Sequence, residues 1–71
     1  MKKIFEYRGT GAEDPILFTT LRKAYEAARE DVGDIIQSYR TVQSHIRNDG
    51  MWEEDVEWLG DYIAIVKREV L

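Results

Sequence analysis

The sequence predicts an α+β fold: a single helix packed on an antiparallel β-sheet, in the order β-β-α-β-β-β, with a C-terminal three-stranded meander. Three observations lead there. LRKAYEAAREDV, 21–32, repeats its apolar residues at helical spacing. KKIFEYR, 2–8, and MWEEDVEWL, 51–59, alternate as strands do. Asn48-Asp49-Gly50 and Gly60-Asp61 carry hairpin chemistry. With 71 residues, the chain has room for one compact domain over 1–71. A chain so short buries only about 60% of its unfolded surface. It has no Cys, so packing and turns must hold it together without disulfides.

In the first strand, Lys3, Phe5 and Tyr7 share one side and Ile4, Glu6 and Arg8 the other. Residues 9–15, with two Gly and the only Pro, read as a loop. Ile16, Leu17 and Phe18 form a brief second strand. Thr19 or Thr20 is an N-cap for a helix over 20–32, whose buried stripe is Leu21, Ala24, Tyr25, Ala28 and Val32. Gly33 stands where its C-terminal cap belongs. Arg22, Lys23, Glu26, Arg29 and Glu30 make the solvated face.

Residues 35–47 admit two readings. Ile35, Tyr39, Val42 and Ile46 suit a helix; Ile36, Val42 and Ile46 suit one face of a strand. The turns favour the strand. Asn48-Asp49-Gly50 fits a three-residue loop with a glycine bulge, and Gly60-Asp61 a two-residue type II′ turn. Strands 36–47, 51–59 and 62–70 then pair with apolar against apolar and acid against base. Ile46 meets Trp52, and Val42 meets Val56. Val56 also meets Ile65, Trp58 meets Ile63, Glu54 meets Lys67 and Glu53 meets Arg68. Trp52, Val56 and Trp58 point at the helix. Glu53, Asp55 and Glu57 point outward, near Thr41, Gln43 and His45 on one side and Tyr62, Ala64 and Val66 on the other.

Function is narrowed mainly by charge. The net charge is −4. That opposes direct binding to nucleic acid or to an anionic membrane, both of which call for a basic face. From Asp49 to Asp61 there are six carboxylates and no Lys, Arg or His. Glu53, Asp55 and Glu57 should stand about 7 Å apart in succession. Like charges held that close suit a cationic surface. They also match the spacing of phosphates along a nucleic-acid strand, so a nucleic-acid mimic is one form such a protein takes. With Tyr62 and Val66 as apolar neighbours, the ladder forms a candidate partner-binding surface of Glu53, Asp55, Glu57, Tyr62 and Val66. The expectation is a small acidic, non-enzymatic protein-binding module. Its partner would be a protein with a basic surface, as for phage-type accessory inhibitors that occlude a nucleic-acid-binding site on a host or defence protein. That comparison rests on size and charge alone.

Two other classes compete: a structural homo-oligomer joined through the sheet face or edge, and a small-ligand protein holding a nucleotide with Tyr7, Arg8 and Arg40. Gly9-Thr10-Gly11 lacks the third glycine and following helix of a phosphate loop. His45 is the only His, and Ser44 points away from it in a strand, so no hydrolytic triad is expected. Asn48-Asp49-Gly50 lacks the alternating ligands of a calcium loop, and neither metal nor cofactor is expected. If 35–47 is helical, a helix-turn-helix carrying Arg40 and Arg47 is conceivable, but Glu30, Asp31, Asp34 and Asp49 at its margins oppose DNA. Lys2-Lys3 leads into no apolar core of a secretory leader, and a cytoplasmic location is expected.

Overall fold

In the computed structural model, residues 2–9, 14–33, 37–56 and 60–70 are described, Asp61 and Val70 by backbone only. The order is β1 (Lys2–Arg8), β2 (Ile16–Phe18), α1 (Leu21–Val32), α2 (Tyr39–Asp49), β3 (Met51–Val56) and β4 (Asp61–Val70). The four strands form one antiparallel sheet in the order β2-β1-β4-β3. Two helices, not one, cover a single face of it. The expected β-β-α-β-β-β order and three-stranded meander therefore give way to β-β-α-α-β-β, with β3 and β4 as a terminal hairpin packed beside β1.

The change lies in 36–47, expected as a strand. Ser38 is extended and its Oγ accepts the Thr41 amide at 3.3 Å, capping α2. At the far end Gly50 takes φ 78°, ψ 0°, and its amide donates to the Ile46 carbonyl at 2.9 Å. The left-handed glycine that a bulged hairpin requires is also what a helix C-cap requires. Asn48-Asp49-Gly50 thus ends a helix instead of turning a strand. Val42 and Ile46 are the buried residues of α2, one turn apart. Thr41, Gln43 and His45 lie on this helix and not on the sheet, and His45 Nδ1 stands 3.6 Å from Asp49 Oδ2.

α1 agrees with its sequence. Thr20 Oγ1 accepts the Lys23 amide at 3.2 Å, and the Gly33 amide returns to the Arg29 carbonyl at 2.7 Å. Leu21, Ala24, Tyr25, Ala28 and Val32 are its buried stripe. On the sheet, Tyr7, Trp52, Val56, Ile63 and Ile65 complete the core. Each large apolar side chain there contributes about 1.5–3 kcal/mol by leaving water. Trp58, expected beside them, lies outside the described residues.

Polar contacts tie the layers. The Tyr7 hydroxyl donates to Asp31 Oδ2 at 2.6 Å, joining β1 to the end of α1. Burial first, and then the Asp31 carboxylate, raise the Tyr7 phenol above its ordinary range, so it stays a donor. A Cβ at Gly9 would meet that Asp31 oxygen at 2.8 Å and the Tyr7 ring at 3.1 Å, so a side chain would disturb the contact. The Tyr25 hydroxyl donates to the Gln37 carbonyl at 2.7 Å, and the Gln37 amide donates to Glu54 Oε1 at 2.9 Å. Glu54, an acid on the core-facing side of β3, is thereby accounted for: it holds the α1–α2 connection. Tyr39 packs edge-on against Tyr25 at 5.3 Å, and the Arg22 guanidinium lies 4.5 Å over the Tyr39 ring.

The β3–β4 register also differs from expectation. Pairing closes at Val56 with Asp61, so Gly60-Asp61 is not a two-residue turn. Glu53 faces Ala64, not Arg68; Glu54 faces Ile63, not Lys67; Val56 no longer faces Ile65, which faces Trp52. The displacement along β4 is four residues (Arg68 to Ala64). An even displacement keeps every side chain on its expected face while changing its neighbour. Among the described residues no helix is long and apolar enough to cross a membrane.

Candidate functional site: the open face of the sheet

The helices leave the other face of the sheet uncovered, and alternation decides what it displays. β1 contributes Lys2, Ile4, Glu6 and Arg8, and β2 contributes Leu17. β3 contributes Met51, Glu53 and Asp55, and β4 contributes Tyr62, Ala64, Val66 and Arg68. The register arranges them in rows. Leu17, Glu6, Val66 and Met51 run across all four strands. Arg8, Ala64 and Glu53 form the next row, Tyr62 and Asp55 the one after. Among the described residues, three of the four exposed large hydrophobic ones are here: Leu17 at 60% exposure, Tyr62 at 49% and Met51 at 37%. Met51 adjoins Val66 in one row, Leu17 ends that row beyond Glu6, and Tyr62 stands two rows away beside Asp55, so the exposed apolar groups are spread among charges.

Glu53, Asp55, Tyr62 and Val66 are brought together on this face, as the sequence suggests. Glu57 lies outside the described residues. Glu53 and Asp55 have no ion-pair partner among the described residues. The relief expected from Arg68 and His45 is absent, because Arg68 serves another acid and His45 is on α2.

That other acid is Glu6, only 6% exposed although no helix covers it. Arg8 Nε meets one carboxylate oxygen at 2.7 Å and Arg68 Nε the other at 2.8 Å. The two arginine side chains are about half exposed, so their stems shield Glu6 while their charges stay wet. The Arg8 hydrogen bond is the main reason the Glu6 carboxyl sits below its ordinary value; burial opposes this, and Arg68 adds to it. Alternation in KKIFEYR puts Glu6 and Arg8 on one face, but Arg68 joins them through β1–β4 pairing, 62 residues away in sequence. No local signal reports that.

Charge is therefore divided across the face. Arg8 and Arg68 flank Glu6, with Lys2 farther along β1, while β3, an edge strand, carries Glu53 and Asp55, which have no ion-pair partner among the described residues. Tyr62 and Val66 stand between. The expected nucleotide-holding set, Tyr7, Arg8 and Arg40, is not assembled: Tyr7 faces α1, Arg8 faces away from it, and Arg40 is exposed on α2. Among the described residues no three of His, Cys, Asp and Glu gather to hold a metal ion. Compared with known proteins, the chain matches no family model, no curated protein and no solved structure.

Proposed function

We propose that the protein is a non-enzymatic binding module whose open sheet face docks a protein with a basic, apolar-lined surface. The observation that carries this reading is that exposed Tyr62 and Met51 share the face the helices leave bare with two carboxylates that have no ion-pair partner among the described residues. Glu53 and Asp55 meet Lys or Arg of the partner, and Tyr62, Val66 and Met51 provide apolar contact. Occlusion of a nucleic-acid site follows where the partner's basic patch is such a site, and Glu57 would extend the acidic strip. A cytoplasmic setting fits this role.

Strand spacing sets the scale. Four strands and about seven residues span roughly 20 Å by 20 Å, near 400 Å². A standard interface takes about 800 Å² per partner. The face alone thus supports transient, charge-dependent binding, with the rim adding area in a tighter complex.

The test is retention of a partner on immobilised protein at low and high salt. Glu53→Gln, Asp55→Asn and Glu57→Gln together should abolish low-salt retention, and Tyr62→Ala should weaken it. Retention that ignores both salt and these changes overturns the reading. A salt-insensitive dimer of the pure protein, dispersed by Val66→Glu, would point instead to self-assembly through the same face.

A further inference from the structure

On the opposite layer, α2 does not fully cover the sheet at the end where β1 begins and β4 finishes. A groove of about 270 Å³ opens there between the two helices and the strands. Phe5, Leu21 and Ile46 supply its apolar lining. Lys3, Arg47 and Lys67 line it as well, from three separate elements. Lys67 pairs directly with Phe5 across β1 and β4, and Lys3 is two residues before Phe5 on the same side. Arg47 follows Ile46 in the last turn of α2.

This arrangement runs against the composition. The chain has 14 acids and 10 Lys or Arg, yet among the described residues the groove is lined by three cations and no acid. None of the three has an ion-pair partner among the described residues. Glu69, which pairs with Lys3 across the strands, stays outside the lining. Three like charges around one concavity repel one another; Glu69, opposite Lys3, offsets part of this, and an entering anion relieves the rest. Arg47 is partly offset by the C-terminal end of the helix dipole; Lys3 and Lys67 are on strands and have no such offset. The wall is also fixed in advance: Tyr39, which lines the mouth with Gln43, is held by the Tyr25 ring and the Arg22 guanidinium.

We infer that this groove binds a small organic anion. Its carboxylate or phosphate head meets Lys3, Arg47 and Lys67, and its flat apolar body lies against Phe5, Leu21, Ile46 and Tyr39. The volume falls just below the roughly 300–1,000 Å³ of common ligand sites, so it suits a single-ring anion and not a dinucleotide. The site is independent of the sheet-face reading and shares none of its residues.

The test is an amide-resolved NMR titration of the whole chain with phenyl phosphate and with benzoate, beside inorganic phosphate and neutral phenol. At least one aryl anion should give saturable shifts near Lys3, Gln43, Arg47 and Lys67, with a Kd of about 1 mM or tighter. The tighter of the two identifies the head group. Inorganic phosphate and phenol should each bind at least about tenfold more weakly, since each offers half of the recognition. Arg47→Glu with Lys67→Glu should remove the saturable shifts, while Tyr62→Ala on the open face should leave them. The variant's own spectrum reports its folding, and exposed Lys3→Glu serves if the pair does not fold. No saturable shift with either aryl anion, equal binding of inorganic phosphate, or shifts centred on Arg8 and Arg68 would overturn the inference.

Discussion

Glu6→Gln is the most informative stability perturbation, because Glu6 ties Arg8 on its own strand to Arg68, 62 residues away in sequence. The change keeps the side-chain shape and removes the charge. Of the two hydrogen bonds, at 2.7 and 2.8 Å, one persists to the amide oxygen without the carboxylate charge, and the other is lost because the amide NH2 cannot accept from an arginine Nε–H. Breaking a fully buried ion pair costs about 3–5 kcal/mol, chiefly because a charge is stranded. Here Arg8 and Arg68 are 49% and 54% exposed and return to water, so that penalty largely vanishes. What remains is about 1–2 kcal/mol from one lost and one weakened hydrogen bond. For a domain of this size each kcal/mol moves Tm by about 4–8 °C, giving a fall of about 4–16 °C. The assay is thermal unfolding followed by circular dichroism between neutral and acidic pH. The folded carboxyl lies below its ordinary value of 4.5, so its stabilisation is present above that value and lost as pH falls through the lower folded value. The wild-type curve should drop more steeply below about pH 4.5 and converge on the variant's. A variant within about 0.5 kcal/mol of wild type at neutral pH, with the same acid limb, would refute this account of the trio, since that is what an ordinary surface substitution does.

Further outcomes follow from the helices and the core. Ser38→Ala should cost about 1 kcal/mol in urea unfolding, as loss of an N-cap does, whereas an extended 36–47 would barely respond. Gly50→Ala should cost about 1–2 kcal/mol, because φ 78° is unfavourable with a Cβ and nothing else crowds the position. Val42→Ala, at a fully buried site, should cost about 2–3 kcal/mol through lost burial and the cavity left behind. Tyr7→Phe should cost about 1 kcal/mol at neutral pH. The raised Tyr7 phenol stabilises the fold below the ordinary tyrosine range, and that stabilisation fades as pH rises through the folded value. The Phe variant should therefore show the flatter alkaline limb in a pH-dependent unfolding series.

The elements with strong local signals were legible. The stripe from Leu21 to Val32, the Thr20 cap and Gly33 specify α1, and alternation specifies β1 and the faces of β3 and β4. Residues 36–47 were not, because Gly50 in the left-handed region is common to a helix cap and a bulged turn. The strand pattern did carry a flaw: on its apolar face Ser38, Arg40 and Ser44 interrupt Ile36, Val42 and Ile46, while Ser38 followed by Thr41 suits a cap. The expected hairpin register follows from a two-residue Gly60-Asp61 turn, with apolar and acid–base matches such as Glu53 with Arg68, and takes no account of β1 on the other side of β4. Arg68 is occupied there by Glu6. The faces survived because the displacement is even, so Glu53, Asp55, Tyr62 and Val66 share a surface even though their neighbours differ. Long-range pairing decided the rest: the Glu6 trio and the Lys3, Arg47 and Lys67 groove exist only once β1 lies beside β4 and α2 packs on β3 and β4.

The central claim, that the open sheet face is the docking surface, is tested most directly by comparing two charge variants in one low-salt capture experiment. One carries Glu53→Gln, Asp55→Asn and Glu57→Gln; the other carries Arg47→Glu and Lys67→Glu on the opposite layer. The account predicts that wild type and the second variant retain the same partner and that the first loses it. Retention by the first variant with loss by the second would place the interface on the helix side and contradict the claim.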